Sequence, residues 1–269
     1  MTETNCRLTL LGTGSSGGVP RVGGDWGACD PGELRNRRTR CSALIDRIGA
    51  DGSMTRILVD TSPDMREQLL SVDVRHLDAI VYSHDHADQT HGIDDVRPLV
   101  IAMRRPIPTF MDAATRKSLH NRFRYCFEGM GGYPPILDSM PDIIPGIPFA
   151  VDGSGGNIEL MPVDMEHGRI RCLGFRMGSL AYCNDVNALP EATLDRLRGL
   201  DTLVVDALRY TPHPTHANLE QALAWVAELK PRRAILTNMH VDMDYRTLQG
   251  ELPDGVEPGY DGMELKFSA

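Results

Sequence analysis

Residues 83–92 read Ser-His-Asp-His-Ala-Asp-Gln-Thr-His-Gly and contain three of the nine histidines of the chain. His84 and His86 are two residues apart, and side chains at that spacing in extended backbone point to the same side. Asp88 continues the alternation, so a carboxylate joins the two imidazoles. Zinc accepts these ligand types, and imidazole–carboxylate sites also suit manganese. The stretch therefore predicts a metal site, the alternative being a polar loop in which histidines merely cluster.

Ligand-type residues also follow other predicted strands. The buried strand predicted at 77–82 delivers the histidine stretch, and His167, Asp185 and His240 each come shortly after a later apolar run. A single aspartate after a strand is usually a turn or a helix cap. Several such residues on separate strands are harder to explain in that way. They predict that one edge of a sheet collects the ligands of a metal pocket.

The composition is that of an ordinary soluble globular protein, with 41% hydrophobic and 24% charged residues among 269. The net charge of −9 makes nucleic acid an unfavoured partner. No apolar run reaches the length of a membrane span, so no membrane partner is expected. The N-terminus shows no secretory pattern, and the six cysteines are scattered without a Cys-x-x-Cys pair. These features predict a cytoplasmic location.

At 269 residues the chain is long enough for one large domain or two small ones. No repeat divides the chain, and the Gly- and Pro-rich segment 128–156 is expected to be a long surface loop. Pro98 should kink or restart the helix that it interrupts. Strands are predicted at 7–11, 42–45, 56–60, 77–82, 107–111, 158–163, 171–177, 180–183, 202–205 and 233–236 and near the C-terminus, and helices at 64–70, 93–103, 113–123 and 219–229.

These motifs resemble the metallo-β-lactamase-fold hydrolases, whose signature is His-x-His-x-Asp-His with later His, Asp and His ligands at strand ends. The resemblance is strongest to the carbon–phosphorus lyase-associated phosphodiesterases, which hydrolyse a ribosyl cyclic phosphate, and to their bacterial relatives. It spans nearly the whole chain and includes the Leu-Gly-Thr-Gly run at 11–14 and Gly-Tyr-Asp-Gly-Met-Glu at 259–264. It implies one α/β domain over residues 1–269, an αββα four-layer sandwich in which two mixed β-sheets are flanked by helices and the metals lie at one edge.

The resemblance also implies roles for individual residues. His84, His86 and His167 would hold a first divalent ion, and Asp185 would bridge to a second. Asp88 matches a second-metal ligand that also orients the attacking water.

Two departures from the family signature weaken the second metal position. Gln89 stands where the family has the histidine after the motif aspartate, and Asn238 stands where it has a histidine after the last inner strand. An amide oxygen is a weaker ligand than imidazole. His240, two residues beyond Asn238, is expected to point to the same side and to compensate. One ion, zinc or manganese, is therefore expected with good support, and a second is in doubt.

The function implied is hydrolysis of a small phosphodiester, such as a cyclic phosphate or a nucleotide-like compound. A bound ion makes hydroxide available at neutral pH by lowering the pKa of water. His216 matches a suspected general acid of the family, and the alternative is a surface histidine before a helix. Arg37, Arg38 and Tyr210 are the residues expected to contact the substrate, Arg37 and Arg38 because they lie in a basic run.

Other functions stay open at this point, because one fold hosts many activities. Gln89 and Asn238 favour, as the main alternative, a degenerate metal- or nucleotide-binding protein without catalysis. Hydrolysis of another ester is a further alternative. An RNA-processing nuclease is disfavoured by the acidic composition and by the lack of an obvious RNA-binding arm. The oligomeric state, with a homodimer among the options, is also open.

Overall fold

The computed structural model describes residues 5–268, and its first layer of strands is a mixed seven-stranded sheet. In spatial order the strands are β14, β1, β2, β3, β4, β5 and β6. The first four pair antiparallel, and the pairs from β3 to β6 are parallel. Their bounds are β1 Cys6–Gly12, β2 Ser42–Ile48, β3 Met54–Val59, β4 Ala79–Val81, β5 Ile107–Phe110, β6 Leu137–Ser139 and β14 Glu264–Phe267.

The second sheet also has seven strands, in the order β13, β12, β11, β10, β9, β8 and β7. The pairs from β10 to β13 are parallel, and the pairs from β7 to β10 are antiparallel. The bounds are β7 Phe149–Val151, β8 Ile158–His167, β9 Ile170–Met177, β10 Leu180–Cys183, β11 Thr202–Asp206, β12 Arg233–Thr237 and β13 Val256–Pro258.

The helices are short and connect the strands. Short 3-10 helices occupy Leu34–Asn36 and Ile93–Val96, and the second of these leads directly into a helix with Pro98 in its first turn. The predicted restart at Pro98 is therefore confirmed. The α-helices are α1 Met65–Ser71, α2 Ala87–Thr90, α3 Arg97–Met103, α4 Ala113–Arg122, α5 Arg124–Glu128, α6 Glu191–Leu197, α7 Leu219–Leu229 and α8 Tyr245–Glu251.

The burial pattern shows how the layers stack. Side chains that alternate along a strand point to opposite faces of the sheet. Ile57 and Val59 on β3 join a cluster that also contains Phe175 and Val204 of the other sheet, so the two sheets face each other. Leu58, between them, joins a different cluster with α1 and α4. A third cluster packs the second sheet against α6, α7 and α8. The predicted four-layer αββα sandwich is confirmed.

The sequence patterns found most of these elements but not the short ones. Segment 128–156 is not one continuous loop, because it contains the edge strands β6 and β7 and the start of the segment completes α5. The short elements α6, α8 and β13 were also missed. Periodicity is weak over three to seven residues, so such elements leave little signal in the sequence.

The sheet directions explain why the predicted ligands meet. In the second sheet β8, β10, β11 and β12 all run the same way, so their carboxyl ends reach one edge. That edge carries His167, Asp185, Asp206 and Asn238. In the first sheet the parallel strands β3 and β4 end at Val59 and Val81, shortly before Asp60 and His84. The sandwich thus brings polar residues from both sheets together. Within residues 5–268 no helix is long and apolar enough to cross a membrane.

Candidate metal centre

Three histidines converge where the two sheets meet. One ring nitrogen from each of His84, His86 and His167 lies within 4.8 Å of the others. Nδ1 of His86 and Nε2 of His167 are 3.3 Å apart. Two nitrogens that bind one tetrahedral ion at about 2.0–2.1 Å are separated by about 3.4 Å, so this spacing fits a shared ion. The structure therefore brings together the three residues expected to hold the first metal.

The hydrogen bonds of these rings leave a lone pair free on the nitrogens that would bind the metal. Nδ1 of His167 is 2.6 Å from the carbonyl oxygen of Thr215, so Nδ1 donates and Nε2 keeps its lone pair. Nε2 of His84 is buried and has no partner among the described residues. Burial and the neighbouring histidines lower the pKa of His84 well below its usual range, and burial lowers that of His167 to about 4. Both rings are thus neutral, which is the form that binds a metal.

A buried aspartate sets the orientation of His84. Asp60 accepts hydrogen bonds from the Ser83 amide, at 2.8 Å, and from the Ser83 hydroxyl, at 2.7 Å. Because that hydroxyl uses its only proton on Asp60, it accepts from Nδ1 of His84, which lies 2.9 Å away. Carboxylates commonly orient ligand histidines in this way. Sequence reasoning missed Asp60, whose only signal was its place directly after a strand.

The neighbouring part of the site is built from carboxylates and amides. Nδ1 of His216 lies 2.8 Å from Asp206 and 3.5 Å from Asp185. Burial by itself would lower the pKa of His216, but the hydrogen bond to Asp206 and the two negative charges raise it to about 9. Burial raises the pKa of both aspartates. The imidazolium form of His216 therefore balances a buried pair of carboxylates, and Asp206 is a second residue that the sequence patterns did not single out.

The position expected for a second ion has weaker ligands than the three-histidine position. Asn238 donates to one oxygen of Asp185 at 2.9 Å, and Asn184 donates to the other at 2.8 Å. The amide of Gln89 is fully buried and donates to Asp88 at 3.3 Å. His167, Asp185 and His216 do form a second group within 4.8 Å. However, His167 is shared with the first group. The donors present thus fit one ion well and a second one poorly.

Two predicted ligands lie in unexpected surroundings. His86 is the last extended residue, and α2 begins at Ala87, so Asp88 lies on a helix rather than continuing the strand-like alternation. Its carboxylate still receives the Gln89 amide beside the site. His240 contacts Arg21 through Nε2 and Asp242 through Nδ1. With both ring nitrogens engaged, His240 is outside the two groups of converging ligands described above, and the expected compensation for Asn238 does not occur.

The three residues expected to contact substrate are engaged with other groups of the protein. Arg38 is 1% exposed and donates to the Met243 carbonyl at 2.7 Å, so it is a buried structural residue. That expectation was wrong, because a basic run in the sequence does not show which of its side chains turn inward. Arg37 lies over the ring of Trp26. The hydroxyl of Tyr210 donates to Glu251 at 3.0 Å.

A different set of basic residues lines a cavity of about 360 Å³ next to the metal centre. We call it the cationic cavity and define it by Arg21, Arg209, His213, His216 and His240. The ring centre of His216 is 4.6 Å from that of His167, so the cavity adjoins the histidine cluster directly. Sequence reasoning missed Arg21, Arg209 and His213. The His-x-x-His spacing of His213 and His216 was the one available signal.

Comparison with known proteins agrees with the fold and the site. The chain matches the Beta-lactamase superfamily domain over residues 55–239, which include all three converging histidines. Fold and site together define a hydrolase of the metallo-β-lactamase type, a class that binds divalent metals. The chain belongs to the β-lactamase superfamily, and the family resemblance drawn from the sequence is confirmed.

Solved structures with the same fold cover nearly the whole chain. A diphosphatase of the PhnP family shares 34% sequence identity at a TM-score of 0.86, with 97% of each chain covered. Zn²⁺-bound PqqB from Methylobacterium extorquens has 17% identity at a TM-score of 0.72, covering 97% of this chain and 100% of that one. The short form of human tRNase Z has 14% identity at 0.65, covering 96% and 98%. The last two show the fold alone.

A relative found by sequence is longer than this chain. An octanoyltransferase from Porphyromonas gingivalis (strain ATCC BAA-308 / W83) is 32% identical over 263 residues, which are 96% of this chain and 51% of that protein. The chain therefore spans about half the length of this curated relative. Its name describes the longer protein.

Proposed function

We propose that the protein is a metal-dependent phosphodiesterase that acts on a small substrate, a cyclic phosphate or a nucleotide-like phosphodiester. The observation that carries this proposal is the convergence of His84, His86 and His167 on one point, next to a proton donor and a cationic cavity. The 34% identity to a PhnP-family diphosphatase adds support for phosphoryl chemistry. Hydrolysis of another ester and a non-catalytic binding role are the alternatives.

The residues of the chain divide the work as follows. His84, His86 and His167 hold the ion, zinc or manganese. When bound, the ion supplies an activated water and neutralises charge on the phosphoryl oxygens. Asp88 orients the attacking water, and Asp185, whose carboxylate lies in one group with His167 and His216, shares that role.

His216 is the proposed general acid. Its Nδ1 is held by Asp206 at 2.8 Å, which leaves Nε2 as the ring nitrogen free to act on the substrate. Because its pKa is raised to about 9, the ring carries a proton at neutral pH, as a general acid must. It can pass that proton to the leaving alkoxide.

The proposal extends to partners and location. The acidic composition and the cavity volume of about 360 Å³ support a small phosphate ester rather than nucleic acid as the substrate. All six cysteines are buried and scattered without a Cys-x-x-Cys pair, which supports a reducing, cytoplasmic location.

Replacing His84 tests the proposed activity. We expect His84→Ala to abolish hydrolysis of bis(p-nitrophenyl) phosphate and to lower the bound metal per chain, because one of three ligands is lost. His76→Ala is the matched control, since His76 precedes the opposite end of β4 and contacts Asp78. Elemental analysis of the same samples separates the alternatives. Wild-type protein that binds metal or nucleotide without turning over any phosphodiester would favour the non-catalytic reading.

A further inference from the structure

The loop that carries His84 and His86 is attached to helix α4 through Asp85, the residue between the two histidines. The Ser118 hydroxyl donates to the Asp85 carboxylate. Arg122 donates to the backbone carbonyl of Asp85, and the same terminal nitrogen of Arg122 lies 3.5 Å from the carboxylate. The side chain and the main chain of Asp85 are therefore both held by one helix.

His86 differs from the other two converging histidines because no hydrogen bond to a fixed group orients its ring. Nδ1 of His84 donates to the Ser83 hydroxyl. Nδ1 of His167 donates to the Thr215 carbonyl. Among residues 5–268, the hydrogen-bonding and ring contacts of the His86 ring are limited to His84 and His167. The residue is also exposed, whereas the other two are buried. The orientation of His86 therefore depends on its backbone.

The backbone of His86 is fixed on both sides. Its carbonyl accepts from the backbone amide of Gln89, at 3.1 Å, and from the Thr90 hydroxyl, at 2.8 Å, both of which belong to α2. On the other side, the peptide group that joins Asp85 to His86 contains the carbonyl that accepts from Arg122. A peptide group is planar, so holding its carbonyl also holds the direction in which the chain continues into His86. Helix α4 thus helps to set where the His86 ring lies.

Helix α4 is itself well anchored. Asp112 caps its first turn by accepting from the Thr115 amide at 2.8 Å. Leu119 is fully buried in the cluster that packs the helices on the first sheet. Ser118 and Arg122 are four residues apart, so they lie on one face of the helix. An anchored helix therefore presents two donors to the loop that binds the metal.

We propose that Ser118 and Arg122 are positioning residues of the metal centre, which act through Asp85 on His86. They hold the His86 ring in the place where it meets His84 and His167. This inference rests on the metal-binding part of the proposed function and not on the choice of substrate.

The contribution of this contact should appear in metal affinity rather than in folding stability. The side chains of Asp85 and Arg122 are 38% and 31% exposed, and an ion pair with that exposure stabilises a fold only slightly. Groups that orient metal ligands, in contrast, typically change metal affinity by about 10- to 100-fold. We expect an effect at the lower end of that range because the contact is partly solvated.

Zinc affinity measured by competition with a chromophoric chelator tests the proposal. Arg122→Ala should raise the Kd for zinc roughly tenfold, and Ser118→Ala should raise it less. Arg122→Lys should retain part of the affinity, because an ammonium group can still donate to the Asp85 carbonyl. Arg124→Ala is the matched control and should leave the Kd unchanged, since Arg124 is 70% exposed and pairs with Glu128.

Two further measurements separate positioning from a merely structural role. The melting temperature of zinc-free protein should be the same in wild type and Arg122→Ala. The visible absorption of cobalt-substituted protein, which reports ligand geometry, should change in Arg122→Ala and not in Arg124→Ala. A weaker zinc affinity that comes with a lower melting temperature and an unchanged cobalt spectrum would show a structural role and overturn the proposal.

The remaining outcomes separate this inference from the proposed function. An unchanged zinc Kd in both Arg122→Ala and Ser118→Ala overturns the positioning role and leaves the phosphodiesterase standing. Wild-type protein that binds zinc but hydrolyses no phosphodiester overturns the proposed function, and the same zinc affinities then still decide the positioning role. Wild-type protein that binds no zinc overturns both.

Discussion

Replacing Asp206 with asparagine should lower the pKa of His216 while keeping the shape of the site. Asparagine has nearly the same volume as aspartate, and its carbonyl oxygen can still accept from Nδ1 of His216 and from the Val186 amide, which now donates to Asp206 at 3.0 Å. The negative charge is what disappears. Because that charge stabilises the imidazolium and not the neutral ring, its removal must make His216 a stronger acid.

The size of the effect follows from the structure. The rise of the His216 pKa from 6.5 to about 9 corresponds to about 3.4 kcal/mol in favour of the charged ring. The His216 side chain is only 16% exposed, so solvent screens this little. Asp206, at 2.8 Å, contributes more than Asp185, at 3.5 Å. Removing the charge of Asp206 should therefore remove at least half of this free energy, about 1.7 kcal/mol, and bring the pKa of His216 below about 8.

The assay is a titration of chelator-treated protein by NMR, with ¹⁵N-labelled histidine and His216→Ala to assign the resonance. Asp242→Asn is the matched control, because that carboxylate contacts His240 and not His216. An unchanged His216 pKa in Asp206→Asn would refute the reasoning. The raised pKa of His216 also makes the stability of the folded protein depend on pH. His216 holds its proton more tightly in the folded state, so its contribution to stability is complete below pH 6.5 and is lost as the pH rises through about 9.

Two further changes test the rest of the site. The double variant Gln89→His/Asn238→His should raise the metal content from one ion per chain to two, measured by elemental analysis, because imidazoles replace amides that bind ions weakly; a content that stays at one would show that other residues block the position. Asp261→Ala should lower the free energy of unfolding by about 3 kcal/mol in urea titrations, because Asp261 accepts from the backbone and hydroxyl groups of Thr13 and Thr39. The exposed substitution Asp254→Asn is its control and should change stability little.

The fold and the main ligands could be predicted because both depend on local sequence patterns. Apolar runs predict the strands, and the ligand residues follow directly after them. His84, His86 and His167 stand at or just beyond the ends of apolar strands, and parallel strands deliver their ends to one edge. The αββα architecture fixes which strands share an edge. The family resemblance was needed as well, because His84 and His86 follow a strand of one sheet and His167 ends a strand of the other.

The cavity residues could not be predicted, because their positions depend on loop conformation. Arg38 and Arg37 are neighbours in one basic run, yet one is buried and the other lies over an aromatic ring. Arg21 and Arg209 come from loops without periodicity, nearly two hundred residues apart. The helix start at Ala87 similarly moved Asp88 off the expected alternation. Loop side chains follow turns and packing that composition does not reveal.

The amides of Asn238 and Asn184 and the protonated ring of His216 all lie beside the buried carboxylate of Asp185. A second ion near Asp185 would balance the charge of buried carboxylates. Here Asn238 and Asn184 occupy the oxygens of Asp185, and protonated His216 lies between Asp185 and Asp206. The His216 imidazolium thus supplies part of the positive charge that a second metal ion would supply if histidines stood at positions 89 and 238. If an engineered histidine at Asn238 does bring a second ion, that ion should displace the proton of His216 and bring its pKa down.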